Sequence, residues 1–287
     1  QETGKWEYVN TARPQEKNFK ADSVQSKLYV ENLDGEMHEY MIYLPLYDGI
    51  NWLQIGVDST AVLIQPQVEN PRKMGKIVIY GTSIQQGGCA SRVGMVPSAM
   101  IQREYNLECV NLATSGQARM DFYIAEALAS IEDAICYVID PVPNCTKDRC
   151  DTATYDFIKI LRTLRPEVPI VMVEGLMYPY TRHSSFHAEY LPQKNEGFRR
   201  GYEQHLAQNP KGLYYMTHDG QVAPEMEGTV DGVHLTDYGF RAYADLLEVK
   251  IKEALDDTGV EYNLTPSYNI VRPMTFWEKL CFLFSGK

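Results

Sequence analysis

From Lys76 onward the chain alternates short apolar, β-prone runs with stretches of helical periodicity, and no other feature narrows its possible folds as much. A strand, an amphipathic crossover helix and another strand make the repeating unit of a parallel sheet covered on both faces. Ile77 to Tyr80 reads as the first strand, Glu108 to Leu112 as the second, Ala134 to Asp140 as the third, Ile170 to Val173 as the fourth and Leu213 to Met216 as the fifth. The third is nearly all apolar, as burial on both faces requires. Helices are expected at Pro97 to Tyr105, near Asp121 to Ser130, and at Thr152 to Leu164, Asn195 to Ala207 and Thr236 to Leu255. In the third of these Tyr155, Ile158, Leu161 and Leu164 share one face, and Arg165-Pro166 ends it. The last carries Asp237 early and Lys250 and Lys252 late, matching the helix dipole.

The first 74 residues have a different rhythm. Lys27 to Glu31, Tyr40 to Leu44 and Trp52 to Val57 are short β-prone runs separated by turn signals such as Asp34-Gly35 and Asp48-Gly49. They predict a small antiparallel, sandwich-like β domain over 1–74, joined near Asn70 to Gly75 to an α/β domain over 75–255. The tail over 256–287 has no place in the strand order. Its Phe276, Trp277, Leu280, Phe282 and Leu283 would cost ~25 cal/mol per Å² of apolar area left in water. The tail is therefore expected to pack back on the body or complete the β domain.

Composition excludes several partners. A formal charge of -11, from 38 acidic against 27 basic residues, argues against a nucleic-acid surface or an anionic membrane and favours a neutral substrate. No apolar run approaches the roughly 20 residues of a membrane span. The chain opens at Gln1 rather than Met, so the expectation is that a leading segment has been removed and that the protein is exported. The six cysteines do not form a disulfide scaffold: Cys109 and Cys136 fall inside apolar strands as buried thiols, and only Cys145 and Cys150 leave a local bridge open.

Parallel sheets bind ligands beyond the carboxyl ends of their strands. Ser83 follows the first strand, Ser115-Gly116 the second, Asn144 the third and the segment Met177 to Tyr190 the fourth; Asp231 and His234 follow the fifth by a longer loop. A serine hydroxyl needs an imidazole to take its proton and a third group to hold that imidazole. Asp231-x-x-His234 supplies both from one turn of chain. Acyl transfer also needs donors where negative charge grows on oxygen. The Ser83 and Gly116 N–H groups and the Asn144 side-chain amide are candidates. Taken singly, Ser83 suits a helix cap, His234 a core or helix-start position, Asp231 a turn, and Gly116 and Asn144 ordinary loops. Their joint order favours catalysis. His183 and His187 have the spacing of a metal pair but lack the intervening Glu of a zincin. Tyr178, Tyr180, Arg182 and His183 read better as a lid or substrate loop. Neither a metal nor an organic cofactor is expected.

These blocks, Tyr80-Gly81-Thr82-Ser83-Ile84, Asn111-Leu112-Ala113-Thr114-Ser115-Gly116, Pro143-Asn144 and Asp231-Gly232-Val233-His234-Leu235, resemble those of the SGNH (GDSL-type) hydrolase superfamily. Gly87-Gly88-Cys89-Ala90-Ser91-Arg92 and Leu44-Pro45-Leu46-Tyr47 look like a bacterial subgroup with an N-terminal β-sandwich, often exported and associated with carbohydrate-ester cleavage. The resemblance, covering roughly 25–255, implies a flavodoxin-like three-layer α/β/α fold with a five-stranded parallel sheet. It further implies Ser83 as nucleophile, His234 as base, Asp231 as its orienter and an oxyanion hole from Ser83, Gly116 and Asn144. The implied substrate is a short, acetyl-type ester on a sugar or polysaccharide. Thr82 departs from the superfamily's Asp, a change shared with the closer subgroup, and Val142-Pro143-Asn144-Cys145 departs from its Gly-x-Asn-Asp. A carbohydrate-binding protein on an inactive hydrolase scaffold, or a lipase or thioesterase, remain the alternatives. The sequence leaves the oligomeric state open.

Overall fold

The computed structural model describes residues 6–12, 26–66 and 74–260. Contacts divide them into two units, one of residues 6–12, 26–42 and 56–66, the other of residues 43–55 and 74–260.

The larger unit is built on β1 (Lys76–Gly81), β2 (Glu108–Asn111), β3 (Ala134–Asp140), β4 (Ile170–Val173) and β5 (Leu213–Met216), all parallel, in the order β2-β1-β3-β4-β5. The helices are α1 (Ser83–Gln86), α2 (Pro97–Tyr105), α3 (Phe122–Ala129), α4 (Lys147–Leu164), α5 (Ser185–Gln208) and α6 (Asp237–Thr258). Alternating strand side chains feed two separate cores. Ile77, Ile79, Val138, Val171 and Val173 pack with Met100 and Ile101 of α2 and Phe240, Tyr243, Leu247 and Ile251 of α6. Val78, Tyr80, Tyr137, Ile139 and Met172 pack on the opposite face with Leu128 of α3, Phe157, Ile158 and Leu161 of α4 and Phe198 of α5. The result is the expected three-layer α/β/α, flavodoxin-like arrangement.

Two helices start earlier than helical periodicity indicates. α4 begins at Lys147, because Thr146 caps it by accepting from Arg149 N at 3.1 Å. α5 begins at Ser185 and runs through Pro192, with Ser184 Oγ accepting from His187 N at 3.3 Å. Proline removes one donor and crowds the preceding turn. Packing of Leu191, Asn195 and Phe198 into the body holds the helix across it.

In the first unit and residues 43–55, the runs expected as strands, Lys27 to Glu31, Tyr40 to Leu44 and Trp52 to Val57, have no ladder partner among the described residues. Their Leu28, Tyr29, Tyr40, Ile42, Trp52 and Ile55 side chains are exposed. β-propensity describes fit to a pleated surface, and a strand also needs a neighbour to hydrogen-bond. Residues 43–55, ahead of the expected boundary at 74, cluster with the α/β unit. Tyr43 Oη donates to Ala99 O at 3.3 Å, and Gln86 Nε2 donates to Leu46 O at 3.1 Å. The tail beyond residue 260 lies outside the described residues. Among those described, no helix is long and apolar enough to cross a membrane.

Candidate active site

β2 and β3 leave β1 on opposite sides, which opens a crevice beyond its carboxyl end. There Thr82, not Ser83, caps α1, its Oγ1 accepting from Ile84 N at 3.3 Å. The Ser83 hydroxyl is thereby left for another partner, and Ser83 Oγ lies 3.0 Å from His234 Nε2.

His234 sits on a short hairpin between β5 and α6. Thr229 and Leu235 form an antiparallel bridge, and Val230 N donates to His234 O at 2.8 Å. Asp231 holds this turn with both carboxylate oxygens. Oδ1 accepts from Val233 N at 2.9 Å and His234 N at 2.7 Å, while Oδ2 lies 2.8 Å from His234 Nδ1. The imidazole contact and then the backbone N–H of His234 lower the Asp231 pKa to about 2. The carboxylate is therefore charged throughout the neutral range, as an acceptor facing Nδ1–H must be. Ser83, His234 and Asp231 thus form one continuous chain of hydrogen-bonding groups.

The hairpin is seated by a close glycine pair. A Cβ on Gly239 would fall 2.1 Å from Gly228 O and 2.9 Å from Gly228 C, and Thr236 N donates to Gly228 O at 2.9 Å. Backbone cannot yield as a side-chain tip can. Gly239→Ala is expected to cost about 1–3 kcal/mol, read as a lower urea midpoint with an unchanged slope.

The remaining site residues approach from two other strand ends. Gly116 lies in the exposed loop after β2 with a φ of 72°. Thr114 N donates to Gly81 O at 2.9 Å and Ser115 N to Gln86 Oε1 at 2.7 Å, which ties this loop to both flanks of Ser83. Asn144 ends a 3-10 turn, Val142–Asn144, after β3, and its Oδ1 is buried without a hydrogen-bond partner. No hydrogen bond joins Gly116 or Asn144 to Ser83. His187 Nδ1 is engaged by Ser184 Oγ at 2.8 Å, so its ring helps cap α5. Tyr178 stacks on Tyr180 at 5.4 Å, Tyr180 meets His187 edge-on at 4.9 Å, and Tyr180 Cδ1 is 3.3 Å from where a Cβ on Gly232 would lie. These aromatics therefore adjoin the His234 hairpin. Cys145 and Cys150 are both free thiols.

Several neighbours of Ser83 had no sequence signal. Gln86 braces the β2 loop and Leu46 at once. The Tyr47 hydroxyl lies 3.0 Å from where a Cβ on Gly88 would lie. Beneath the site, Asp140 at the end of β3 is fully buried: Tyr243 Oη donates to its Oδ2 at 2.6 Å, and Gln85 Nε2 donates to that same hydroxyl at 2.8 Å. Asp140 Oδ1 and Gln85 Oε1 both lack partners. Burial pushes the Asp140 pKa up to about 7, against the lowering effect of Tyr243 and Gln85. A raised carboxyl pKa means the folded state keeps a proton that the unfolded chain has released. Stability is consequently lost as pH rises from about 4 to about 7, at ~1.4 kcal/mol per pH unit from this group. Asp140→Asn should remove that component, so urea midpoints of the variant should gain on the parent between pH 5 and pH 8. Parallel pH curves would reject the assignment.

Comparison with known proteins adds a family context. The pattern of the GDSL-like lipase/acylhydrolase family matches residues 74–252, and that of the N-terminus of SGNH-hydrolase-type esterases matches residues 1–63. Among solved structures, one described as a GDSL-like lipase from Bacteroides ovatus ATCC 8483 is 32% identical, with a TM-score of 0.61, over 68% of this chain and 56% of its own. The chain thus spans a little over half of that protein's length. The salicylyl-acyltransferase SsfX3 from a tetracycline biosynthetic pathway has a TM-score of 0.54 at 17% identity, covering 65% of this chain and 56% of its own. A family two carbohydrate esterase from Clostridium thermocellum, in complex with cellohexaose, has a TM-score of 0.51 at 16% identity, covering 68% of this chain and 67% of its own. No curated protein matches the sequence.

Proposed function

Since the chain belongs to the GDSL-like lipase/acylhydrolase family, we propose that it is a serine esterase that removes short acyl groups, acetyl above all, from a sugar or polysaccharide. The observation that carries this reading is the linkage Ser83 Oγ to His234 Nε2 at 3.0 Å and His234 Nδ1 to Asp231 Oδ2 at 2.8 Å.

Ser83 Oγ attacks the ester carbonyl while Nε2 takes its proton. Asp231 keeps the Nδ1–H tautomer in place and stabilises the imidazolium that forms. Negative charge on the carbonyl oxygen is met by the Ser83 N–H, the Gly116 N–H and the Asn144 amide, each such donor worth ~3 kcal/mol of barrier. The imidazolium returns its proton to the departing alkoxide, and a water activated by the same imidazole then cleaves the acyl-enzyme.

One feature supports a sugar as the alcohol part of the ester. The partly exposed Tyr180 ring beside the hairpin, backed by the buried Tyr178, suits stacking on a neutral, ring-shaped leaving group. The family match over 1–63 supports a small N-terminal β domain in this proposal, with residues 43–55 belonging to the α/β unit.

The test is a series of aryl esters from acetyl to decanoyl, run beside acetylated oligosaccharides, together with labelling by an organophosphonate. We expect the highest kcat/KM for acetyl and a covalent adduct at Ser83. A rising preference for long chains would favour a lipase, and sugar binding without any adduct would favour an inactive scaffold.

A further inference from the structure

The sequence in which Cys89 lies shows no metal pattern, because its neighbours in space are about 140 positions away. Among the described residues, one group of three metal-capable side chains converges: Cys89, Asp231 and His234 each offer a ligand atom, all within 4.8 Å of one another. The Cys89 thiol is exposed.

The backbone holds Cys89 there from both sides. On one side, Gly88 N donates to Ser83 O at 2.7 Å, and a Cβ on Gly88 would lie 3.1 Å from His234 Cδ2, so main chain and imidazole are in close approach. On the other, Ser91 N donates to Asp237 Oδ1 at 2.9 Å and the Ser91 hydroxyl donates to Asp237 Oδ2. Asp237 opens α6 three residues after His234. Cys89 itself has a φ of 72°, a backbone state that non-glycine residues seldom adopt. The thiol is thus presented to the His234 hairpin by a constrained turn, rather than reaching it on a free loop.

Thiolate, imidazole and carboxylate are the ligand types of tetrahedral zinc sites, with bonds of roughly 2.0–2.3 Å. Such bonds place ligand atoms ~3.5 Å apart, so the cation draws in the Cys89 thiol by a torsion at its exposed side chain and parts Asp231 Oδ2 from His234 Nδ1, which stand 2.8 Å apart, within a group spanning at most 4.8 Å. We propose that Cys89, Asp231 and His234 form a reversible inhibitory site for a thiophilic divalent cation such as Zn²⁺. Binding releases the thiol proton to solvent, and the thiolate and the Asp231 carboxylate together neutralise the dication. A fourth position remains for water. The imidazole nitrogen that coordinates the cation is no longer available to the Ser83–His234–Asp231 chain, so an occupied site is silent in catalysis. The inhibitory consequence rests on the esterase reading, but the site does not.

The test titrates Co²⁺, a spectroscopic stand-in for Zn²⁺, into the full chain and into its Ser83→Ala, Cys89→Ser and Cys89→Gly variants. Glycine suits the left-handed backbone at position 89, so that variant retains the fold. The parent and Ser83→Ala should develop a thiolate-to-cobalt charge-transfer band that saturates at one cation per chain and is displaced by Zn²⁺. Both Cys89 variants should bind at least about tenfold more weakly and lack the band. In parallel, Zn²⁺ should inhibit aryl acetate hydrolysis by the parent, reversibly on chelation, with at least about tenfold less sensitivity in both Cys89 variants. Absence of the band in the parent, its survival in both Cys89 variants, or equal zinc sensitivity of all active forms would overturn the proposal. If the parent hydrolyses no ester, the esterase reading fails while the cobalt band still decides the site.

Discussion

Ser83→Ala is expected to lower kcat for an aryl acetate by ~10⁵–10⁶-fold, with little change in unfolding midpoint. The estimate follows from how nucleophile, base and orienter act as a unit: loss of the nucleophile alone removes nearly everything the three provide together. The hydroxyl lies against His234 Nε2 and is not the cap of α1, a role filled by Thr82. Its removal therefore leaves the helix start intact, and the oxyanion donors would sustain only a small residual rate. Stopped assays with active-site titration would measure the loss. Turnover within tenfold of the parent would show that Ser83 is not the nucleophile.

Asp231→Asn should be nearly as damaging, at ~10³–10⁴-fold in kcat, with KM little changed. The carboxylate accepts at Oδ2 from the ring and at Oδ1 from two main-chain N–H groups. An amide retains one oxygen. If that oxygen stays with the backbone, an NH₂ group faces Nδ1 and selects the tautomer in which Nε2 carries the hydrogen, so the base can no longer accept from serine. If the amide turns over, the backbone contacts are lost and the hairpin loosens. Either outcome lowers kcat, and proton NMR of the imidazole would distinguish them. Asp231→Asn with unaltered kcat would remove the residue from the mechanism.

Much of this site could be read from the chain before its geometry was known. The five strands of the parallel sheet were legible because their β-prone runs are short and bounded, and the central ones are apolar and buried on both faces; β3 and β4 fall at the expected residues. Strand order then sends the loops after β1, β3 and β5 to one edge, whatever their detailed sequence. Contacts made by side chains without a local pattern were not legible. Gln86 reaches two loops that are distant in sequence, Tyr47 comes from outside the sheet series, and Asp140 reads simply as the end of a strand until its burial beside Tyr243 is known. The early start of α5 was hidden by Pro192, a residue that weakens a helix in isolation but is tolerated where surrounding packing supports the turn. In the N-terminal segments, β-prone composition did not identify partners, and none of their described residues forms a ladder.

The hairpin that carries Asp231 and His234 closes on itself through the Thr229–Leu235 bridge and meets α6 at the Gly228–Gly239 contact. Imidazole and carboxylate consequently travel as a single rigid cartridge. Because that contact leaves no room for a side chain, the alignment of ring and carboxylate is set by main chain alone and does not depend on any neighbouring side chain keeping its rotamer.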